Sequence, residues 1–280
     1  PPSFFYTPNP PAPILSGLVG SEMCIRDSSH TVRIYHFAGT QHSPGVLPLK
    51  HVQPTGAVGL HPFNWVDWRP LMRAAVANLD AWVCENIPPP PSQHPRLDNG
   101  TAIPTDSLKS VYDTFPGYGF PRYLRHLSRF DFGLEEGITK NLPPITGKPY
   151  PTLTTTVDQD GNELAGIRLP DLAVPLATVT GWNLRHPDTG GDDQTHRIMG
   201  ATVPFTFTRQ ERQERGDPRP SVEERYASKE DYLDRVEEVA KELVSRRYLL
   251  EEDIPILTQK AAERYELLET TLADPQPADD

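Results

Sequence analysis

Residues 31–45, "TVRIYHFAGTQHSPG", carry the stretch best suited to proton transfer. Ile34, Tyr35 and Phe37 make a short β-branched and aromatic strand that breaks at Gly39, and His42 follows on the loop beyond. An imidazole so placed can take and return a proton near neutral pH, provided a second group supplies it. Other groupings carry less. His36, His42 and His51 are spaced unlike any ligand motif, so no metal and no cofactor is assigned. The acids of "DQDGN" invite a calcium reading, but Gly161 comes too early in the loop and the flanks are strand-like; a hairpin turn is the reading. Cys24 and Cys84 are too far apart to imply a disulfide framework or a metal knuckle, and Cys84 is expected to be a buried small side chain. Trp182 in "TGWN" could serve a binding surface, although burial is the expectation.

The elements that must position these residues fall into blocks. "VDWRPLMRAAVANLDAWVCE" reads as a helix with Asp67 as N-cap and Pro70 in the first turn, where its missing N–H costs nothing. Trp68, Leu71, Met72, Ala75, Leu79, Trp82 and Val83 form its expected apolar stripe, suited to packing on a sheet. It must stop before Pro88 in "IPPPPSQHPRL". Residues 88–151 are rich in Pro and Gly and are expected to drape irregularly over the core. Residues 152–157 and 163–169 read as two arms of a hairpin around "DQDGN", with Gly161 able to take positive φ. Ser228, with Asp231 three residues on, resembles a capping box opening a helix whose apolar face is Tyr232, Val236, Val239, Leu243 and Val244. A second helix, about 251–272, presents Ile254, Leu257, Ala261, Tyr265 and Leu268. In "ERGDPRPSVEERY", Glu224 and Arg225 are expected to make surface ion pairs rather than act on substrate.

With 280 residues the chain can hold one large domain or two small ones, and 32 prolines predict long irregular stretches. A net charge of −11 without a basic stripe argues against nucleic acid and anionic membrane surfaces as partners, and no apolar run is long enough for a membrane span. Residues 18–28, "LVGSEMCIRDS", show neither helical nor strand periodicity. They are similar to the translation of an adapter used in preparing DNA sequencing libraries, so 1–28 is expected to be a non-native or adapter-like segment. A signal peptide fits less well, because no basic region precedes "APILSGLVG".

The order of strand, "GTQH", amphipathic helix and "PPPPSQHPRL" resembles the C-terminal part of a bacterial α/β-hydrolase domain family. The likeness continues through "VDQDGNELAGIRLPDLAVPLATVTGWNLR", "ERGDPRPSVEERY" and "RRYLLEEDI". It implies an α/β fold, present as a C-terminal fragment with an irregular and β-hairpin region and C-terminal helices. Residues 29–87 would be the last strand, histidine loop and helix of the hydrolase core, 88–220 the Pro-rich and hairpin region, 221–273 the helical region and 274–280 a tail. In this fold the triad runs nucleophile, acid, histidine, and His42 matches the histidine position. The other two members do not emerge. No Gly-x-Ser-x-Gly elbow occurs; Ser21 lies in the adapter-like stretch and Ser43 has no helix behind it. No Asp or Glu stands between Ser29 and His42. The resemblance therefore implies a serine hydrolase, of carboxylic-ester type in a longer parent, acting on a small-molecule or polymer ester and inactive in this piece. The alternative is a non-catalytic binding module derived from the same fold. A metal-dependent hydrolase has only the scattered histidines in its favour. Neither oligomeric state nor localisation is legible.

Overall fold

The computed structural model describes residues 32–124, 127–134, 138–196 and 198–273. Residues 1–28, expected to be non-native or adapter-like, and 274–280, expected to be a tail, lie outside the described residues. The architecture is mixed α/β: helices packed with small sheets.

The strand read from Ile34, Tyr35 and Phe37 is extended and bonded along both edges. His36 N–H donates to Gln93 O at 2.8 Å, and Gln93 N–H to Ile34 O at 2.9 Å. On the other edge Ala38 N–H donates to Ile167 O and Ile167 N–H to His36 O, and both pairings are parallel. The strand ends where expected. Gly39 has φ +63°, and a Cβ there would meet Leu172 Cδ2 at 2.6 Å, so both backbone and space demand glycine.

Helix α1 (Arg69–Glu85) begins one residue later than its predicted cap, at Trp68. Asp67 still satisfies a first-turn donor: its carboxylate accepts Arg69 N–H at 3.1 Å and pairs with Lys260 at 2.5 Å. The predicted stripe holds in part: Leu71 is buried and Trp68, Ala75 and Trp82 are half-buried, but Met72, Leu79 and Val83 face solvent. α1 buries Pro70, Leu71, Ala74 and Asn78, while Met72, Val76, Leu79 and Val83 are exposed. Asn78 sets the rotation: its amide donates to Arg247 O at 2.7 Å and accepts from the Arg247 guanidinium at 2.8 Å. That fixes a polar contact and small residues on the inner side. Cys84, on the outer side, is exposed rather than buried.

Beyond it come β1 (Ala102–Pro104), α2 (Lys109–Tyr112), β2 (Ser128–Asp131), β3 (Ile145–Pro149) and β4 (Leu153–Thr155). β1 pairs antiparallel with β4, and β2 with β3. The "DQDGN" turn forms as read, but its two arms do not pair along their length: residues 153–155 pair with β1, and Ile167 bridges Phe37. Val157 bridges Glu163, Gly161 has φ +78°, and Asp158 Oδ1 accepts the N–H of Asp160 and of Asn162 at 3.0 and 2.9 Å. The acids are engaged in holding the chain: Asp158 pairs with Arg168 at 3.0 Å, and buried Asp160 with Arg225 at 2.5 Å.

After α3 (Pro170–Ala173), β5 (Ala177–Thr180) pairs antiparallel with β6 (Ala201–Pro204). The hairpin turn docks on β5 through Asn162, which donates to Ala177 O at 3.0 Å and accepts from Val179 N–H at 2.8 Å. Of the two residues expected to pair at the surface, Glu224 does so with Arg212, but Arg225 turns inward to Asp160. α4 (Arg209–Arg215) and α5 (Val222–Arg225) lead to α6 (Lys229–Ser245) and α7 (Ile254–Ala273). Ser228 Oγ accepts Asp231 N–H at 3.2 Å, the predicted cap. The facing residues are the predicted ones: Tyr232, Val236 and Leu243 meet Leu257, Ala261 and Tyr265 in the main core.

Candidate functional site

The histidine loop is held at its root from several directions. Gly39 N–H donates to Glu163 Oε2 at 2.7 Å, and Gly39 O accepts from the Asn64 amide at 2.6 Å. Asn64 is fully buried. Its amide also donates to Thr180 O at 3.0 Å, and its oxygen accepts Val66 N–H at 2.8 Å. Thr40 Oγ1 closes back on Phe37 O at 2.7 Å, and the Gln41 amide donates to Gly181 O. His42 therefore stands on a loop tied to the strand end, to the hairpin and to β5.

The His42 ring itself is exposed. Its backbone N–H donates to Gln41 Oε1 at 2.6 Å, and among the described residues no carboxylate or hydroxyl engages the imidazole. The structure brings a different histidine against an acid. His36 Nε2 lies 2.7 Å from Glu163 Oε2, the same oxygen that accepts Gly39 N–H, and both side chains are mostly buried. One carboxylate oxygen thus orients an imidazole and fixes the turn that leads to His42. Sequence reading missed this pair, because its members are 127 positions apart. The one available signal was strand alternation, which sets a polar His36 between Tyr35 and Phe37.

His36 and Glu163 form part of the wall of a cavity of about 1090 Å³. Thr40, Gln41, Trp182 and Arg185 also line it; His42 and His51 do not. Trp182 is half-buried rather than buried: one side packs on Tyr112 and Tyr118, each at 5.3 Å between ring centroids, and the residue borders the cavity. The mix of hydroxyl, amide and aromatic side chains suits an organic ligand with both polar and apolar parts.

Burial lowers the pKa of two further imidazoles. His61, stacked on Tyr118 at 4.8 Å, has its pKa pushed down to about 4, mainly by desolvation and further by Arg219. Buried His196 is lowered for the same first reason, with Arg185 adding to it. Among the described residues no group of three or more His, Cys, Asp or Glu could hold a metal ion.

A family described as "Alpha/beta hydrolase domain" matches residues 17–259, most of the chain. The chain belongs to the alpha/beta hydrolase domain family. The match covers every described part of the site, and it begins inside the segment that precedes the described residues. No curated protein and no solved structure matches. No helix of this hydrolase domain, among the described residues, is long and apolar enough to cross a membrane.

Proposed function

We propose that this chain is the histidine-bearing part of a serine hydrolase of the carboxylic-ester type, with His42 as the general base. In this reading His42 takes the proton of a serine hydroxyl as it attacks the ester carbonyl, then delivers it to the leaving alcohol. The observation that carries the proposal is the loop itself: its root at Gly39–Gln41 is pinned while the imidazole beyond it is left uncommitted and exposed. A base awaiting a nucleophile and an acid from another part of a parent chain would be held in this way. Neither partner is supplied here, since no Gly-x-Ser-x-Gly elbow occurs and no acid stands between Ser29 and His42. The chain alone is accordingly expected to be inert toward esters, because loss of the nucleophile removes the covalent route.

The test is hydrolysis of p-nitrophenyl acetate and butyrate. This chain should give no turnover above buffer. A longer chain from the same source, carrying an upstream elbow, should be active and lose activity in His42→Ala. Turnover by this chain that His42→Ala abolishes would overturn the inactivity. A longer chain that keeps full activity without His42 would overturn the assignment of the base.

One observation favours the second reading, a binding module derived from the fold. The imidazoles that line the cavity are His36, already paired with Glu163, and His196, and not His42. A longer chain with no nucleophile at the elbow, inert toward esters and still holding a ligand in this cavity, would give that reading precedence.

A further inference from the structure

Three short extended segments meet along the wall of the cavity. Gly59 bridges Arg185 and Leu184 bridges Thr195, both antiparallel. The pairing continues to either side: Leu60 N–H donates to Leu184 O at 2.8 Å, Arg185 N–H to Gln194 O at 3.1 Å and His196 N–H to Asn183 O at 2.7 Å. Side chains alternate across such a ladder, so Arg185, Gln194 and His196 share one face. All three border the cavity.

Three features of this wall decide what it holds. The first is a pair of unused donors. Arg185 Nη2 donates to Thr189 O at 3.2 Å, but among the described residues Nη1 has no acceptor and no carboxylate pairs with the guanidinium. Asp188, the acid nearest in sequence, turns to His186 instead. Gln194 Nε2 is likewise unbonded among the described residues. The two ends come together over Gly191, where a Cβ would lie 3.2 Å from Gln194 Nε2 and 3.7 Å from Arg185 Nη1. The second feature is charge. No lysine lines the cavity among the described residues, and Glu163, the one acid that does, is engaged by His36 and by Gly39 N–H. Burial first, and Arg185 second, lower the pKa of His196, which opposes a second cation beside the guanidinium. One unmatched positive charge suits one negative charge. Neither ring nitrogen of buried His196 has a partner among the described residues, so the same wall keeps hydrogen-bonding capacity that the chain does not use. The third feature is apolar surface. Phe120 and Trp182, edge-on at 5.7 Å between ring centroids, border the same cavity, and about 1090 Å³ is room for an organic molecule beside them.

We propose that the cavity takes an organic monocarboxylate, its carboxylate clasped by the Arg185 guanidinium and the Gln194 amide and its apolar body laid along Phe120 and Trp182. A planar guanidinium beside an amide offers parallel N–H donors to two carboxylate oxygens, and a single cation balances a single anion. Thr40 and Gln41, the two residues before His42, border the same cavity. If the ester-hydrolase reading holds, the substrate class becomes esters that also carry a free carboxylate; that last step rests on the hydrolase reading, and the binding does not.

The test is titration calorimetry of the full chain with 3-phenylpropionate, with 3-phenylpropionamide and with inorganic phosphate, and it needs no enzymatic turnover. The acid should bind, and the amide, of the same shape without the charge, should bind more weakly by about tenfold or more. Arg185→Gln should lower affinity for the acid by a similar factor and leave the amide unchanged, and Gln194→Leu should weaken the acid less. The Arg185 side chain is half-buried and makes one hydrogen bond, to Thr189 O, so circular dichroism and melting should not change. The comparison of acid with amide uses the wild-type chain alone, so it decides the matter whether or not a variant folds. No binding of the acid, equal binding of acid and amide, or folded Arg185→Gln that binds the acid as well as wild type would overturn the proposal. So would inorganic phosphate binding more tightly than the acid, which would make the wall a phosphate site. Ester-hydrolysis results leave this outcome untouched, and failure to bind the acid leaves the ester-hydrolase reading standing.

Discussion

Replacing Asn64 with alanine is the sharpest test of how the histidine loop is held. Asn64 is fully buried and makes three hydrogen bonds: to Gly39 O at 2.6 Å, to Thr180 O at 3.0 Å and from Val66 N–H at 2.8 Å. A typical intramolecular hydrogen bond contributes about 1 kcal/mol net, and each buried group left unpartnered costs about 1–3 kcal/mol. Three such groups are orphaned at once, so Asn64→Ala should destabilise the chain by at least about 3 kcal/mol. For a chain of this size that corresponds to a fall in Tm of roughly 6–12 °C. Asn64→Asp should do no better. It keeps an acceptor for Val66 N–H but turns an oxygen toward two carbonyls that need a donor. Urea unfolding of both variants, with far-ultraviolet circular dichroism as readout, gives the number. A loss below about 1 kcal/mol in Asn64→Ala would refute the reasoning, because it would mean that the loop root does not depend on this side chain.

Three more outcomes are expected. Gly39→Ala combines positive φ with a Cβ placed 2.6 Å from Leu172 Cδ2, so it should cost more than about 2 kcal/mol or leave the protein insoluble, checked by soluble yield and urea midpoint. His61 has a folded pKa of about 4 against an unfolded value near 6.5, so the unfolded chain binds the extra proton between them. Its contribution is present above pH 6.5 and lost as pH falls toward 4. Relative to His61→Gln, wild type should lose about 2 kcal/mol between pH 7 and pH 5, and parallel pH profiles would count against it. Cys84, exposed on the outer side of α1, should react with a thiol-specific reagent in the native state, and mass spectrometry should show no label at that position after Cys84→Ser.

What could be read from the sequence divides along a physical line. α6, α7 and the "DQDGN" turn were legible because their causes are local: a cap three residues from its N–H, a heptad-like apolar face, and a glycine where φ must be positive. The rotation of α1 was not. Asn78 and Arg247 lie 169 positions apart, and their contact outweighs a stripe of large apolar residues left facing solvent. The misjudged exposure of Cys84 follows from the same rotation. The strand and the position of His42 beyond it were legible, whereas the His36–Glu163 pair and the cavity were not, because residues from several segments line that cavity.

The histidine loop is therefore a tertiary object on a short local frame. Its frame, a strand broken by Gly39, is written in a few consecutive residues, but the groups that fix it come from 25, 124 and 140 positions away. Each of these contacts closes a long loop of chain, so the histidine loop depends on the hairpin turn and β5 being in place. Glu163 concentrates that dependence, because one oxygen serves both His36 and Gly39 N–H. A change at Glu163 must then disturb the His36 contact and the turn leading to His42 together, whereas a change at Gln41, which also lines the cavity, loosens the loop without separating His36 from its carboxylate. The two substitutions therefore separate the His36–Glu163 pair from the tie between Gln41 and Gly181.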